Sequence, residues 1–321
     1  MGIWAVVLQI LILFLLAASG VFLRKKEILT EPVIKGINSS VLTLAWPAMV
    51  LVSTQKSLSP ELLGGFLRIL GYGFVVMGSV SVVLLLVCRG RMDKNKLPVF
   101  ISLCAMPNSG FVGIPLVGAF YGDVGVAYLA AYIIAFNLVL WTIQLAIFGV
   151  EGSRVKAFLN PSVLAAVVAV GLFVFQIRII EPFAGFLNQL SSITTPLSML
   201  LLGGRLEESL KISTLGDKSL LSVMGIRLIL FPLFSFGLMR LVGMTGVEMG
   251  VMVLAGALPC ATASQMFAEK HHKDYRFAAQ SVSLSLILCL ATIPFVLWVT
   301  GMQNDGDALR VLVWKRPMEI L

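Results

Sequence analysis

Ten apolar runs of membrane-spanning length follow one another along this chain of 321 residues. At 1.5 Å per residue, a helix of about 20 residues crosses a hydrocarbon layer about 30 Å thick. Charged residues make up only 12% of the chain, about half the share that soluble domains carry. The sequence therefore predicts an all-α integral membrane protein. The runs cover residues 3–23, 34–54, 62–88, 98–121, 125–149, 162–180, 183–204, 219–241, 248–268 and 277–299.

The positions of lysine and arginine predict how the chain is oriented. If the odd-numbered runs end in the cytoplasm, most basic residues lie in the inner connections. Both termini then lie outside the cell membrane, whether plasma or inner membrane. The net charge of +8 is explained by topology and by anionic lipid, so nucleic acid is not an expected partner. The inner basic residues include Arg24, Lys25, Lys26, Lys35, Arg89, Arg91, Lys94, Lys96, Arg154, Lys156, Lys270 and Lys273.

The fourth run carries helix-breaking residues at its centre. It reads CAMPNSGFVGIPL, with Pro107, Asn108, Ser109 and Gly110 in succession. Proline removes a backbone donor, and glycine permits an unwound chain. The freed backbone groups each cost several kcal/mol in hydrocarbon unless they face protein, water or a ligand. We expect a broken helix here and a candidate substrate site on its exposed backbone.

A similar break lies in the ninth run, which reads GALPCATASQMFA. Pro259 follows Pro107 at a distance of 152 residues. One membrane proline is commonly a simple kink, but a matched pair with polar neighbours favours a binding site. Half-helices that begin after both breaks would direct two positive dipole ends toward the centre, where they favour an anion. The candidate residues of this second break are Pro259, Cys260, Ala261 and Thr262.

Two proline pairs predict an internal repeat. Pro47 and Pro196 lie 149 residues apart, nearly the shift of the first pair. The chain is therefore predicted as two repeats of five spans, with broken helices 4 and 9 that cross. Because five is odd, the second repeat has inverted topology. The predicted parts are residues 1–150, residues 151–300 and a C-terminal tail, 301–321.

Two arginines within the runs are candidate charge partners for an anionic substrate. Arg227 lies about seven residues into the eighth run, roughly 10 Å from its inner end. Its side chain would extend to the inner headgroups, the favoured interpretation, or meet an organic anion. Arg68 follows Glu61 by about two turns and would pair with it or meet substrate.

Other chemistry has little support in the sequence. It contains no HExxH, GxSxG or deep paired-carboxylate motif, so an enzyme is not expected. No CxxC occurs, and neighbours such as His271 and His272 point about 100° apart on a helix, so neither a metal nor a cofactor is expected.

Ion coupling is left open. Neither break holds an acidic residue, which weakens the case for proton coupling through a deep carboxylate. Sodium could still bind hydroxyls near Ser109, Thr262 and Ser264. Export driven by the membrane potential alone needs no coupling ion, since one charge crossing 100 mV is worth about 2.3 kcal/mol.

The sequence resembles the auxin efflux carrier family, which includes plant PIN carriers and bacterial permeases assigned to malate or malonate. The resemblance rests on the segments PNSGFVGIPL, FNLVLWTIQ, NPSVLA, TTPLSMLLLGG and LPCATASQMFA, which extend over nearly the whole chain. It implies a fold similar to bile-acid sodium symporters and NhaA-type antiporters. Spans 1, 2, 6 and 7 would form a scaffold that joins two copies through helices 2 and 7. Spans 3–5 and 8–10 would form a transport domain that moves as an elevator.

The resemblance also implies site residues. Substrate would meet Asn108, the asparagine just after the crossover proline. A polar residue four positions before Trp141 would line the pocket; this is Asn137, where plant carriers have glutamine. This chain lacks the long hydrophilic loop of many plant members, and Cys260 stands where the first break has Asn108. The two breaks are therefore chemically different.

These features predict a secondary transporter of small organic anions, auxin-like or mono- and dicarboxylates, that works by elevator-type alternating access. A sodium- or proton-coupled symporter of the same fold is the nearest alternative. A channel or a non-transporting receptor could share the breaks.

Overall fold

The computed structural model describes residues 2–55, 60–149, 161–209 and 217–302. These residues form helices joined by short turns, with no β-strand beyond one isolated bridge. The all-α prediction is confirmed to that extent. Most of the predicted tail and the connection between the predicted repeats lie outside the described residues.

Five of the described helices are long and apolar enough to cross a membrane, and three further apolar helices are shorter. In chain order the helices are α1 (Gly2–Lys25), α2 (Glu31–Gln55), α3 (Leu63–Cys88), α4 (Lys96–Ala105), α5 (residues 109–121), α6 (Val124–Ile147), α7 (Pro161–Val174), α8 (Phe183–Ser192), α9 (Thr194–Ser209), α10 (Lys218–Leu241), α11 (Gly246–Ala257), α12 (Thr262–Lys270) and α13 (Tyr275–Thr300).

Prolines and one glycine explain the irregular points of these helices. The π-helical turns Val41–Ala45 in α2 and Ile226–Leu230 in α10 come shortly before Pro47 and Pro232. A proline clashes with the carbonyl four residues earlier and cannot donate to it, so a wider turn relieves the helix there. Between α5 and α6, Gly122 has φ 60° and ψ −155°, a conformation that only glycine adopts at low cost.

Helices α1 and α9 approach each other closely through small residues. A Cβ added to Gly203 would lie 1.8 Å from the backbone oxygen of Ala17. A Cβ added to Gly20 would lie 2.2 Å from the backbone oxygen of Leu200. In a bilayer, helices associate through such backbone contact because lipid gives no hydrophobic drive between them.

We predict that Gly203→Ala separates α1 from α9 and lowers the thermal stability of the purified protein, because a methyl group has no room at this contact. Gly71→Ala in α3 is the matched control, since nothing lies within 4 Å of its added Cβ. Helix propensity makes that change neutral or stabilising by up to about 1 kcal/mol. Equal melting temperatures for the two variants in detergent would contradict the predicted contact.

Candidate functional site

The two predicted breaks meet and bond to each other. Pro107 and Cys260 face one another in an isolated antiparallel bridge. The amide of Asn108 donates to the oxygen of Pro259 at 2.9 Å, and the amide of Ala261 donates to the oxygen of Met106 at 3.0 Å. The two exchanged bonds satisfy four backbone groups that the helix breaks release. This pairing has local twofold symmetry, which relates Pro107 to Cys260 and Asn108 to Ala261. It is shifted by one residue from the sequence alignment, which matched Pro107 with Pro259.

Side chains from both halves reinforce this crossover. Asn108 Nδ2 donates to Thr262 Oγ1 at 2.8 Å, and both residues are buried. The amide of Cys260 donates to Ser285 Oγ of α13 at 3.0 Å. Ser102 and Ser264 join their hydroxyl oxygens at 2.8 Å. The structure therefore brings the two candidate breaks into one polar centre, in which an amide and a hydroxyl stand side by side.

Arg227 lies beside this centre and is fully buried, so the expectation that it extends to the headgroups is wrong. Its Nε donates to the oxygen of Leu258 at 3.1 Å, its Nη1 to that of Cys104 at 3.5 Å, and its Nη2 to that of Gly256. The guanidinium carbon also lies 4.1 Å from the ring centre of Phe231. Backbone carbonyls released in the membrane interior need a hydrogen-bond donor, and hydrocarbon supplies none. The Arg227 side chain therefore binds these carbonyls rather than distant headgroups.

The position of Arg227 has an electrostatic consequence for the crossover. The carbonyls that it binds lie at or just beyond the C-terminal ends of α4 and α11, where helix dipoles are negative. The cation compensates both negative ends. The N-terminal ends of α5 and α12, which are positive, begin at the same place. The remaining field at the crossover therefore favours an anion.

Asn137 takes part in a contact between α6 and α2. Its Oδ1 accepts from Trp46 Nε1 at 2.8 Å, and its Nδ2 donates to the oxygen of Ile133 at 2.8 Å. Next to it, a Cβ added to Gly110 would come within 2.7 Å of Met49 Cε and 3.8 Å of the Trp46 ring. Asn137, which the resemblance assigns to the pocket, thus binds Trp46, and the Trp46 ring lies near the first turn of α5.

A cavity of about 120 Å³ lies at the first turn of α5, where the buried Gly110 lines it with backbone. Helices α2, α8 and α9 provide its hydroxyl groups, and α5 and α6 complete its apolar wall. Amides of a first helical turn have no acceptor within the helix, so they can meet a carboxylate here. The hydroxyls of Ser191 and Thr195 can join them, whereas those of Ser53 and Ser192 donate to backbone oxygens of their own helices, each at 2.7 Å. The lining residues are Met49, Val52, Ser53, Gly110, Ile114, Val126, Ser191, Ser192 and Thr195.

Arg68 lies away from the crossover. It forms a two-point ion pair with Glu248 of α11, with Nε–Oε2 at 3.0 Å and Nη2–Oε1 at 2.6 Å. The Arg68 side chain is 62% exposed, so solvent screens this pair and its contribution to stability is small. The pair joins α3 to α11, and the structure gives Arg68 this contact rather than one with the candidate site.

Comparison with known proteins identifies the kind of molecule that carries this site. The sequence matches the membrane transport protein family, which contains the auxin efflux carriers, over residues 5–157 and again over 150–297. The chain belongs to this family. Members of this family are transporters, so the protein is a membrane transporter and not an enzyme.

Two archaeal relatives extend the match to nearly full length. An uncharacterized transporter of Methanothermobacter thermautotrophicus is 28% identical over 93% of this chain and 98% of its own. An uncharacterized transporter of Methanocaldococcus jannaschii is 25% identical over 90% of this chain and 97% of its own.

Little in the sequence indicated the hydroxyl groups that α2, α8 and α9 bring to the site. Ser53, Ser191, Ser192 and Thr195 line the cavity, but only their nearness to Pro47 and Pro196 marked them in the sequence. Within the described ranges, no three His, Cys, Asp or Glu side chains converge as metal ligands.

We predict that Arg227→Met destabilises the protein, since it leaves buried carbonyls without a donor. Hydrogen bonds to a charged group are worth about 1.5–3 kcal/mol each, so melting of the purified transporter should shift clearly downward. Arg240→Met is the matched control, because Arg240 lies near the end of α10 and is exposed. An unchanged melting temperature for Arg227→Met, next to an unchanged control, would contradict the assigned role.

Proposed function

We propose that this transporter is a secondary carrier for small organic anions, and that the crossover is its substrate site. The observation that supports this most directly is the meeting of two positive helix ends beside a hydroxyl-lined cavity, with Arg227 compensating the two negative ends. Such a site attracts a carboxylate without a fixed positive side chain in the binding position. Asn108 would donate its amide to the substrate in place of Thr262.

The dimensions of the cavity support a small substrate. At about 120 Å³ it is well below the 300–1,000 Å³ of pockets for drug-sized ligands. Mono- and dicarboxylates of a few carbons fit this volume better than an auxin-like molecule with an aromatic ring. The apolar wall of Met49, Val52, Ile114 and Val126 would hold the carbon chain, and the hydroxyls of Ser191 and Thr195 would hold the polar end.

We further propose a ten-span, five-plus-five inverted repeat in a cell membrane, with both termini outside. A scaffold of α1, α2 and α7–α9 would hold a transport domain of α3–α6 and α10–α13 that moves as an elevator. Several polar contacts support this division: Arg68 binds Glu248 and Lys96 binds Asp217 within the transport domain, and Arg24 binds Glu31 within the scaffold. A homodimer would form through the scaffold at α2, α8 and α9.

Transport without a coupling ion is the simplest mechanism for this site, because the membrane potential can drive an anion outward. Sodium coupling keeps support from the hydroxyls of Ser102, Thr262 and Ser264 at the crossover. Proton coupling would need a titrating group, and neither break contains an acidic residue or a histidine. The two forms of coupling are separated by measuring flux while sodium and pH are varied one at a time.

We predict that Asn108→Ala weakens substrate binding by about 2 kcal/mol, or about thirtyfold, because one hydrogen bond to a charged group is lost. The measurement is substrate-induced current from liposomes on a solid-supported membrane, with malate, malonate and indole-3-acetate as substrates. Expression and dimerisation should be unchanged.

Asn95→Ala is the control for this experiment, since Asn95 is exposed in the turn before α4. It should retain the currents of the unmodified protein. Normal saturable transport by Asn108→Ala would overturn the site assignment, whereas linear, non-saturating flux in the unmodified protein would indicate a channel.

A further inference from the structure

A second cavity lies between the start of α2 and the end of α12, on the side predicted to face the cytoplasm. Its volume is about 200 Å³. The cavity lies between these two helices, near the predicted membrane surface. Its wall contains more cationic than anionic side chains. The lining residues are Lys35, Asn38, Ser39, Leu42, Glu269, Lys270 and His272.

The charges around this cavity favour an anion. Lys35 and Lys270 are both exposed, and Glu269 is the one carboxylate among the residues that line the cavity. Lys270 Nζ also lies 5.3 Å from the ring centre of Trp141, a cation–π distance. Burial, with the charge of Lys270 next to it, lowers the pKa of His271 to about 4, so that this neighbour is neutral at pH 7.

Asn38 gives an independent sign of an incompletely satisfied site. It is 5% exposed, and its Nδ2 makes only long contacts, 3.4 Å to the oxygen of Met266 and 3.5 Å to Glu269 Oε2. Its buried Oδ1 has no hydrogen-bond partner among the described residues. Buried polar atoms are nearly always paired. The long contacts of Nδ2 leave it able to turn and donate to a carboxylate, whereas Oδ1 is an acceptor and can pair only with a donor such as a ligand hydroxyl or a bound water.

One face of α2 connects this cavity to the crossover. Lys35, Asn38 and Leu42 follow one another at intervals of three and four residues, and Trp46 and Met49 continue the same face. Trp46 and Met49 are the residues that contact Asn137 and Gly110. Leu42 and Met49 are about 10 Å apart along the helix, so the cavity lies roughly two turns below the candidate site.

We propose that this cavity binds the carboxylate of a small organic anion at the inner face, as a first position before the crossover. The ligand class rests on the proposed function. Lys35 and Lys270 attract the carboxylate, and the Asn38 amide donates to it. The binding is weak and sensitive to salt, because both lysines are exposed to solvent and screened.

The test measures binding of radiolabelled malonate to the detergent-solubilised full chain by equilibrium dialysis. An Asn108→Ala background weakens the crossover site about thirtyfold, and the salt-sensitive part of the remaining binding reports on the inner cavity. Lys35→Gln with Lys270→Gln should weaken that remaining binding about fivefold or more. Raising the salt should weaken it before these substitutions and change little after them.

Lys94→Gln is the matched control, because Lys94 is an exposed lysine of the turn before α4 and does not line the cavity. It should leave the remaining binding unchanged. Absence of residual malonate binding in the Asn108→Ala background overturns the inner site, as does residual binding that the paired lysine substitutions leave unchanged.

Two more outcomes distinguish a carboxylate site from a lipid site and the inner cavity from the crossover. If the paired substitutions remove bound phosphatidylglycerol, measured by native mass spectrometry, but leave malonate binding unchanged, the cavity holds a lipid phosphate and the proposal is wrong. If Asn108→Ala alone retains full malonate affinity, the crossover assignment fails, while the lysine variants still decide the inner site.

Discussion

The exchange of backbone hydrogen bonds between the two helix breaks holds the centre of this transporter together. Two unwound segments at membrane depth release donors and acceptors that hydrocarbon cannot satisfy. Here the amides of Asn108 and Ala261 bond to oxygens of the opposite segment. Neither break would be stable without the other. The pairing therefore fixes the relative positions of α4, α5, α11 and α12 before any side chain contributes.

The crossover creates a charge problem as well as a hydrogen-bonding problem, and Arg227 addresses one half of it. Two helix C-terminal ends with negative dipoles meet there, and the buried guanidinium donates to carbonyls of both. Arg227 compensates only these negative ends, so the positive N-terminal ends of α5 and α12 keep their partial charge. Under the proposed function, this asymmetry would give the site its preference for an anion, although the cation lies outside the proposed binding position.

Helix α2 connects the features that give the site its surroundings. Its C-terminal part lines the hydroxyl-rich cavity with Met49, Val52 and Ser53, and its N-terminal part lines the lysine-rich cavity with Lys35 and Asn38. Between them, Trp46 binds Asn137, and Met49 packs against Gly110. One helix thus contacts the crossover at its middle and a polar cavity at each end, an arrangement that suits the proposed alternating access.

The order of the amino acids was enough to predict an all-helical membrane protein that resembles the auxin efflux carriers, and to locate both breaks. Proline, glycine and apolar length act locally, so their effects can be predicted without knowing the neighbours. Three features became evident only from the packed helices. These are the partner of Arg68, the burial of Arg227, and the hydroxyls of Ser191 and Ser192 at the cavity. These features depend on contacts between residues distant in the chain, or on the packing of α8 against α2. Helical periodicity does not encode which distant carbonyl or carboxylate a side chain will meet.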